Sequence, residues 1–370
     1  MLPIVIPLIE DNNVQKVSVA LTFFKAVEEA AKDGCKVLFS GLGAEELFAG
    51  YKRHKSSLQL NKECLSGFRK MYERDLYRDD VITMFHSVEL RLPFLDRELI
   101  EYSLKIPPSL KINGEKDKLV LRKIAEEIGI SHETAYRKKR AAQYGSNVQK
   151  ALKKLASNHE SVSAYVDTFS KRKNPRLGAL LSSGKDSVFA MYSMMVQNYP
   201  IECLITLKSN NPDSYMFHTP TINLVKEQSK SMKIPLIEQE TKGVKEKELT
   251  DLRKALQKAK EKYGIEGVVT GAIRSNYQRD RIEKVCDGLS LKIFAPLWHI
   301  DQEKYMRNII NKGFSFIMTK VAAEGLDKSW LGREITNKDI DNLVKLHSKN
   351  KIEIAGEGGE FETLMVDGPI

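Results

Sequence analysis

Residues 177–187, Leu-Gly-Ala-Leu-Leu-Ser-Ser-Gly-Lys-Asp-Ser, constrain this chain more than any other stretch. An uncharged apolar run enters a small Gly-centred turn, and an amphipathic segment from Ser187 to Gln197 leaves it. Buried strand, phosphate-sized loop and helix N-terminus, in that order, build an anion site from backbone N–H groups and the helix dipole. The G-x-x-x-x-G-K-S/T spacing of the commonest phosphate loop is absent, so this is not that loop.

Beyond Arg176, short apolar strands alternate with amphipathic helices. Strands are expected at 177–181, 202–207, 267–270, 291–294 and 314–318, and helices at 219–232, 245–263, 275–287 and 302–312. The alternation predicts an α/β unit of right-handed βαβ crossovers: a doubly wound, mostly parallel sheet with helices on both faces. Its ligand belongs at the carboxyl ends of the strands, where residues 182–187 fall.

Residues 158–176, polar and then basic around Pro175, are expected to be a linker. Before it the chain is mostly helical. A helix is expected over 17–32, with Ala20, Leu21, Phe24, Val27 and Ala31 on one face, then a strand at 36–39. The apolar start, Met1 to Ile9, carries Pro3 and Pro7 and no basic region. It reads as a strand or buried loop, not a signal peptide.

With 370 residues the chain holds two domains of ordinary size. No apolar run is long enough to span a membrane. Its four cysteines are far apart and form no C-x-x-C pair, so reduced thiols in a cytoplasmic protein are expected. A net charge of +10 points to an anionic partner such as nucleotide, RNA or an acidic protein. Mixed-sign helices such as 242–262 account for much of that charge, and no aromatic-studded RNA motif appears. Nucleic acid is therefore the less favoured partner.

Residues 182–187 resemble the S-G-G-x-D-S pyrophosphate loop of ATP pyrophosphatases. Three more blocks follow: Asp-Ser-Tyr-Met-Phe-His-Thr at 213–219, Thr-Gly-Ala-Ile-Arg-Ser-Asn-Tyr-Gln-Arg-Asp-Arg at 270–281, and Glu-Gly-Gly-Glu-Phe-Glu-Thr at 357–363. Weaker matches lie at 321–326 and 330–332. Together, over roughly 177–370, they resemble the diphthine–ammonia ligase family of ATP pyrophosphatases. That resemblance implies an adenine nucleotide alpha hydrolase-like fold, ATP and Mg²⁺, ammonium, and translation elongation factor 2 as protein substrate. The implied reaction adenylates the carboxylate of diphthine and amidates it to diphthamide, releasing AMP and pyrophosphate.

The residues suit that chemistry. Small Ser182, Ser183 and Gly184 let backbone N–H groups approach pyrophosphate, and Ser187 starts the helix. Lys185 neutralises phosphate charge, and Asp186 is the natural Mg²⁺ contact. Gly271 and Ala272 follow a strand end, where adenine or the acceptor can approach the backbone. Ser275, Gln278, Arg279 and Arg281 lie on the next helix, with either arginine able to meet an anionic group. Glu357, Glu360 and Glu362 crowd a loop containing Gly358 and Gly359. Such clustered carboxylates call for a cation, a bound amine or raised pKa values, and ammonium is placed at Glu357 or Glu360. Catalysis is assigned to Lys185, Asp186, Glu357 and Glu360, and substrate or nucleotide orientation to His218. The plain alternatives are solvated helix arginines, an acidic surface turn and a structural histidine.

The first half carries a second resemblance. Residues 40–51, Ser-Gly-Leu-Gly-Ala-Glu-Glu-Leu-Phe-Ala-Gly-Tyr, resemble the S-G-E-G-A-D-E-L-F-G-G-Y segment of the asparagine synthetase synthase domain, with further matches at 87–96, 118–122 and 137–146. Met1 to Cys35 holds no S-G-G-x-D-S loop, and Leu42 and Glu45 replace the usual Glu and Asp. Residues 1–157 are therefore expected to be a truncated asparagine synthetase-like domain without its phosphate cradle. Glu45, Glu46, Arg91 and Asp96 are expected to pack or face solvent, the alternative being vestigial site residues. The chain ends at Pro369-Ile370, just past a strand at 363–366; a missing neighbour there would leave an exposed edge. Rival readings are an amidotransferase on a small acid, a tRNA-modifying ATP pyrophosphatase, and a non-catalytic nucleotide-binding module.

Overall fold

A computed structural model describes residues 1–114, 116–138, 141–171, 173–209, 224–244 and 246–370. The chain divides into two units, Met1–Lys173 and Asn174–Ile370.

The first unit is mostly helical. Leu2–Ile9 is a helix, not the expected strand or loop, and its buried Leu2, Val5, Ile6 and Ile9 follow helical spacing. Pro3 lies in the first turn, where a missing N–H costs nothing, and Pro7 forfeits a single intrahelical bond. The four side chains close against the helices Val14–Lys32 and Tyr77–Phe85, which outweighs that loss. Asn13 caps Val14–Lys32 by accepting from the N–H groups of Gln15 and Lys16. Strands β1 (Val37–Phe39) and β2 (Glu89–Arg91) pair in parallel.

Part of the expected linker is folded into this unit. Ser161 caps the helix Val162–Asp167, whose Val166 is buried in the same core as Leu2–Ile9. Asp167 also accepts a hydrogen bond from Asn12 at 2.6 Å. Glu45 pairs with Lys118 at 3.1 Å, and buried Glu46 accepts from the Tyr51 hydroxyl at 2.7 Å beside Arg74. Asp96 caps the helix Arg97–Ser103, and Arg91 lies on Glu89 at 2.9 Å.

The second unit is α/β. Strands β3 (Leu177–Leu180), β4 (Ile201–Ser209), β5 (Leu236–Thr241), β6 (Gly267–Val269) and β7 (Lys292–Phe294) form a five-stranded parallel sheet in the order β5-β4-β3-β6-β7. Chain order reverses between β3 and β6, which creates a topological switch point at the end of β3. One face is covered by the helices Lys185–Met195 and Gln302–Asn311, the other by Glu248–Tyr263 and Asn276–Asp287.

Two strand expectations change. The strand expected at 314–318 is β8 (Ser315–Val321), which pairs antiparallel with β9 (Phe361–Asp367) outside the parallel sheet. One edge of the sheet belongs to β5, whose sequence Leu-Ile-Glu-Gln-Glu-Thr buries only Ile237 and Thr241. As an edge strand it keeps one side wet, and Glu238 pairs there with Lys208 at 2.9 Å and Lys226 at 3.0 Å. The helix expected from 219 is described as Val225–Met232; residues 219–223 lie outside the described set. Among the described residues, no helix is long and apolar enough to cross a membrane.

Candidate active site

A cleft of about 450 Å³ opens at the carboxyl ends of β3, β4 and β6, the switch point of the sheet. Ser182, Asp186 and Ser187 line one wall, and Thr270, Gly271, Ala272, Ser275 and Gln278 line another. Glu357, Gly358, Gly359 and Glu362 close a third, with Ile205, Leu207 and Ile282 forming an apolar floor. Sequence positions far apart thus meet in one place.

The loop after β3 is held from several sides. Ser183 is fully buried with φ 67, the left-handed region, where a glycine would sit without strain. Its carbonyl accepts from Met365 N–H at 2.9 Å and from the Gln228 side chain at 3.1 Å. Lys185 N–H donates to Thr363 Oγ1 at 3.2 Å. Ser187 Oγ accepts from Ser182 N–H at 3.1 Å and donates to the Gly184 carbonyl at 3.1 Å. Strand β9 therefore clamps the loop that β3 presents.

Asp186 lines the cleft with its side chain 31% exposed, but Lys185 does not. The Lys185 side chain is 2% exposed, and its ammonium lies 2.9 and 3.0 Å from the two Asp186 oxygens and 2.7 Å from the Ala355 carbonyl. The lysine expected to meet phosphate instead braces the neighbouring carboxylate. Tyr305, fully buried, donates its hydroxyl to Asp186 Oδ1 at 2.5 Å. Burial, with Asp186 and then Glu357 nearby, pushes this phenol well above its usual range, so it remains a donor.

Glu357 sits on the turn that leads from β6 into the helix Asn276–Asp287. Its Oε1 accepts from the N–H groups of Ile273, Arg274 and Ser275 at 3.3, 3.0 and 3.3 Å. Burial and then the Asp186 charge raise its pKa, while these N–H bonds and Lys185 oppose the shift. The folded chain therefore keeps a proton here above pH 4.5, where an unfolded glutamate is already half ionised. Stability from this group is full below that pH and is lost as pH rises through the folded value. Glu357→Gln cannot titrate, so urea midpoints between about pH 4 and 8 should shift in favour of the variant as pH rises. A constant gap between variant and parent would mean that the carboxylate ionises as in an unfolded chain.

The other expected site residues divide. Ser275 caps its helix by accepting from Gln278 N–H at 3.3 Å, and both line the cleft. Arg279 lies buried with its guanidinium 4.2 Å from the Trp298 ring centroid, and does not line the cleft. Arg281 stacks on Tyr277 at 3.5 Å and donates to Glu246 at 2.9 Å, also away from the cleft. Both guanidiniums are spent on aromatic faces and local acids. Glu360 turns back on its own loop, accepting from Glu353 N–H at 2.9 Å and Gly358 N–H at 2.8 Å. His218 and the 213–219 block lie outside the described residues.

Sequence reasoning passed over Tyr305, Gln302, Gln228 and Thr363. A faint signal existed: Gln302 and Tyr305 share the buried face of their helix with Met306 and Ile309, and polar groups on such a face need partners. Gln302 finds one in Ala355 N–H, which donates to its Oε1 at 2.8 Å.

Among the described residues, no group of three or more His, Cys, Asp or Glu side chains could hold a metal ion. Of the carboxylates that line the cleft, Asp186 is the one on the 182–187 loop, and a Mg²⁺ shared with phosphates needs only one or two carboxylates. A larger concavity of about 980 Å³ lies in the first unit between Lys118, Arg122, Arg137 and Lys138. It lies among helix and turn residues, with no strand end among the described residues that line it.

The diphthamide synthase N-terminal domain family matches residues 175–293, and the diphthamide synthase C-terminal domain family matches 301–370. The asparagine synthase family matches 2–65 and 55–172. Among curated proteins, the chain is similar to the diphthine–ammonia ligases of mouse and human, at 35% and 34% identity over 214 residues. Each alignment covers 53% of this chain and 80% of the relative. The zebrafish diphthine–ammonia ligase is 36% identical over 214 residues, covering 53% of this chain and 83% of the relative.

Proposed function

The chain belongs to the diphthine–ammonia ligase family of carbon–nitrogen ligases, and from that premise we propose that it adenylates the carboxylate of diphthine on translation elongation factor 2 and amidates it with ammonia. AMP and pyrophosphate are the other products, and the reaction takes place in the cytoplasm. The observation that carries this reading is the convergence of the 182–187 loop, the β6 exit and the 357–362 loop on one cleft.

ATP enters with its triphosphate on residues 182–187 and the N-terminus of the helix Lys185–Met195. Its base has an apolar slot in Ile205, Leu207 and Ile282. β4 also runs past the end of β3: pairing stops at Leu180 with Ile205, and Leu181 N–H donates to the Ile205 carbonyl. Backbone groups alternate sides along a strand, so Leu207 presents one donor and one acceptor toward the place β3 has vacated. That pair suits the edge of a purine.

Asp186 is the residue that would hold Mg²⁺, which would supply neutralisation of the triphosphate charge. A carboxylate oxygen of the acceptor attacks the α-phosphorus, and the bond to pyrophosphate breaks. Ammonia then attacks the acyl carbon, and AMP departs with the C–O bonding electrons. Of the two carboxylates expected to hold ammonium, Glu357 is the better placed, because Glu360 is committed to its own loop. Burial and the Asp186 charge also raise its pKa, which favours a group that can hold a proton and pass it on. The asparagine synthase-like unit is an accessory in this scheme.

The decisive assay follows AMP release and acceptor amidation with ATP, Mg²⁺, ammonium and elongation factor 2 carrying diphthine. Amide formation that needs both ATP and ammonium is the expected outcome. AMP release driven by aspartate or tRNA, with diphthine untouched, would overturn the substrate assignment.

A further inference from the structure

Asp186 is held by two donors from separate segments. One is the adjacent Lys185; the other is Tyr305, 119 residues away, whose hydroxyl reaches Oδ1 at 2.5 Å. Tyr305 is fully buried, and its ring packs edge-on against Phe189 at a centroid distance of 5.7 Å. A phenylalanine would fill the same space in the core. Burying a hydroxyl is costly unless it is hydrogen-bonded, and the partner it has is the carboxylate that faces the cleft.

We propose that Tyr305 is a positioning residue for Asp186, fixing the rotation of its carboxylate and thereby how Mg²⁺ and triphosphate are received. The proposal rests on reading the cleft as the nucleotide site. An aspartate carboxylate turns on a broad, roughly two-fold torsion, and a charge-assisted hydrogen bond from a rigid donor removes that freedom. Lys185 meets both oxygens, at 2.9 and 3.0 Å, but from the end of a flexible four-carbon stem on the adjacent residue. Tyr305 adds a second donor from a rigid, buried ring and a separate segment, which fixes the plane of the carboxylate from another side. It also ties the segment after residue 301 to the loop that binds phosphate, so the two matched halves of the unit meet at one carboxylate.

The test compares Tyr305→Phe, Asp186→Asn, their combination and Phe189→Leu in the full chain. Calorimetry of ATP binding across a Mg²⁺ series and AMP-forming kinetics are both read. In Tyr305→Phe the Mg²⁺ concentration for half-maximal binding should rise about tenfold and kcat should fall about tenfold, with KM for ATP little changed at saturating Mg²⁺. Adding Tyr305→Phe to Asp186→Asn should change nothing further. Phe189→Leu, which loosens the same packing, should lower the melting temperature without moving the Mg²⁺ dependence. Parental Mg²⁺ dependence in Tyr305→Phe, or losses that multiply with those of Asp186→Asn, would reduce the phenol to a packing group. The underlying reading fails separately, if Asp186→Asn itself keeps Mg²⁺-dependent binding and AMP formation.

Discussion

Asp186→Asn should lower the rate of AMP formation by about 10²–10³-fold while the chain still folds. Asparagine keeps an oxygen for Tyr305 and for Lys185 but removes the charge that a phosphate-bound cation needs. Stability should fall by about 1–2 kcal/mol, because the Lys185 ammonium is left with a neutral partner and the Ala355 carbonyl. Lys185→Met is the informative contrast. Its ammonium is buried and touches the carboxylate, not the cleft, so its loss should cost about tenfold in rate, less than the loss of Asp186. Rates of AMP release and urea unfolding of the two variants settle the order. If Lys185→Met proves the more damaging, the lysine reaches phosphate during the reaction and the arrangement described above is only its resting position.

That contrast also marks how far sequence reasoning reaches. The strand, loop and helix around residues 182–187 were readable because each has its own signal: an uncharged run, small residues, then helical spacing. The cleft position followed from topology, since a doubly wound sheet offers one switch point. Edge strand β5 had no such signal, because Glu238, Gln239 and Glu240 follow one another and break any apolar alternation. Side-chain direction was the harder limit. Lys185, Arg279 and Arg281 all carry the charge that an anion site wants, yet each is captured by a neighbour: a carboxylate, an indole face, and a phenol with a glutamate. Spacing along a helix says which residues share a face and nothing about which acid or ring arrives from elsewhere. Tyr305 shows the converse, a functional candidate without a motif, identified by where its hydroxyl points.

Gly271→Ala should be the most damaging single-carbon change in the second unit. A Cβ at Gly271 would stand 2.7 Å from the Asp186 carbonyl carbon, 2.7 Å from Ser187 N and 2.9 Å from the Asp186 carbonyl oxygen. All three are backbone atoms of the first helical turn, so no rotamer change can relieve the clash. The exit of β6 and the start of the helix must separate, which moves Asp186 and the hydroxyl of Ser187 that holds Ser182. Overpacking of this kind costs about 1–3 kcal/mol, and a displacement near 1 Å at a site of this chemistry costs about 10²-fold in rate. Gly178→Ala, in β3, is the internal control. Its Cβ would meet the terminal methyls of Ile205 at 2.8 Å and Ile265 at 3.0 Å, side chains that can turn aside. Denaturant midpoints should therefore fall further for Gly271→Ala than for Gly178→Ala, and AMP formation should fall much further in the first. Equal loss of stability in the two variants, with activity kept in both, would mean that β6 and the phosphate loop are not in the tight contact on which the whole cleft depends.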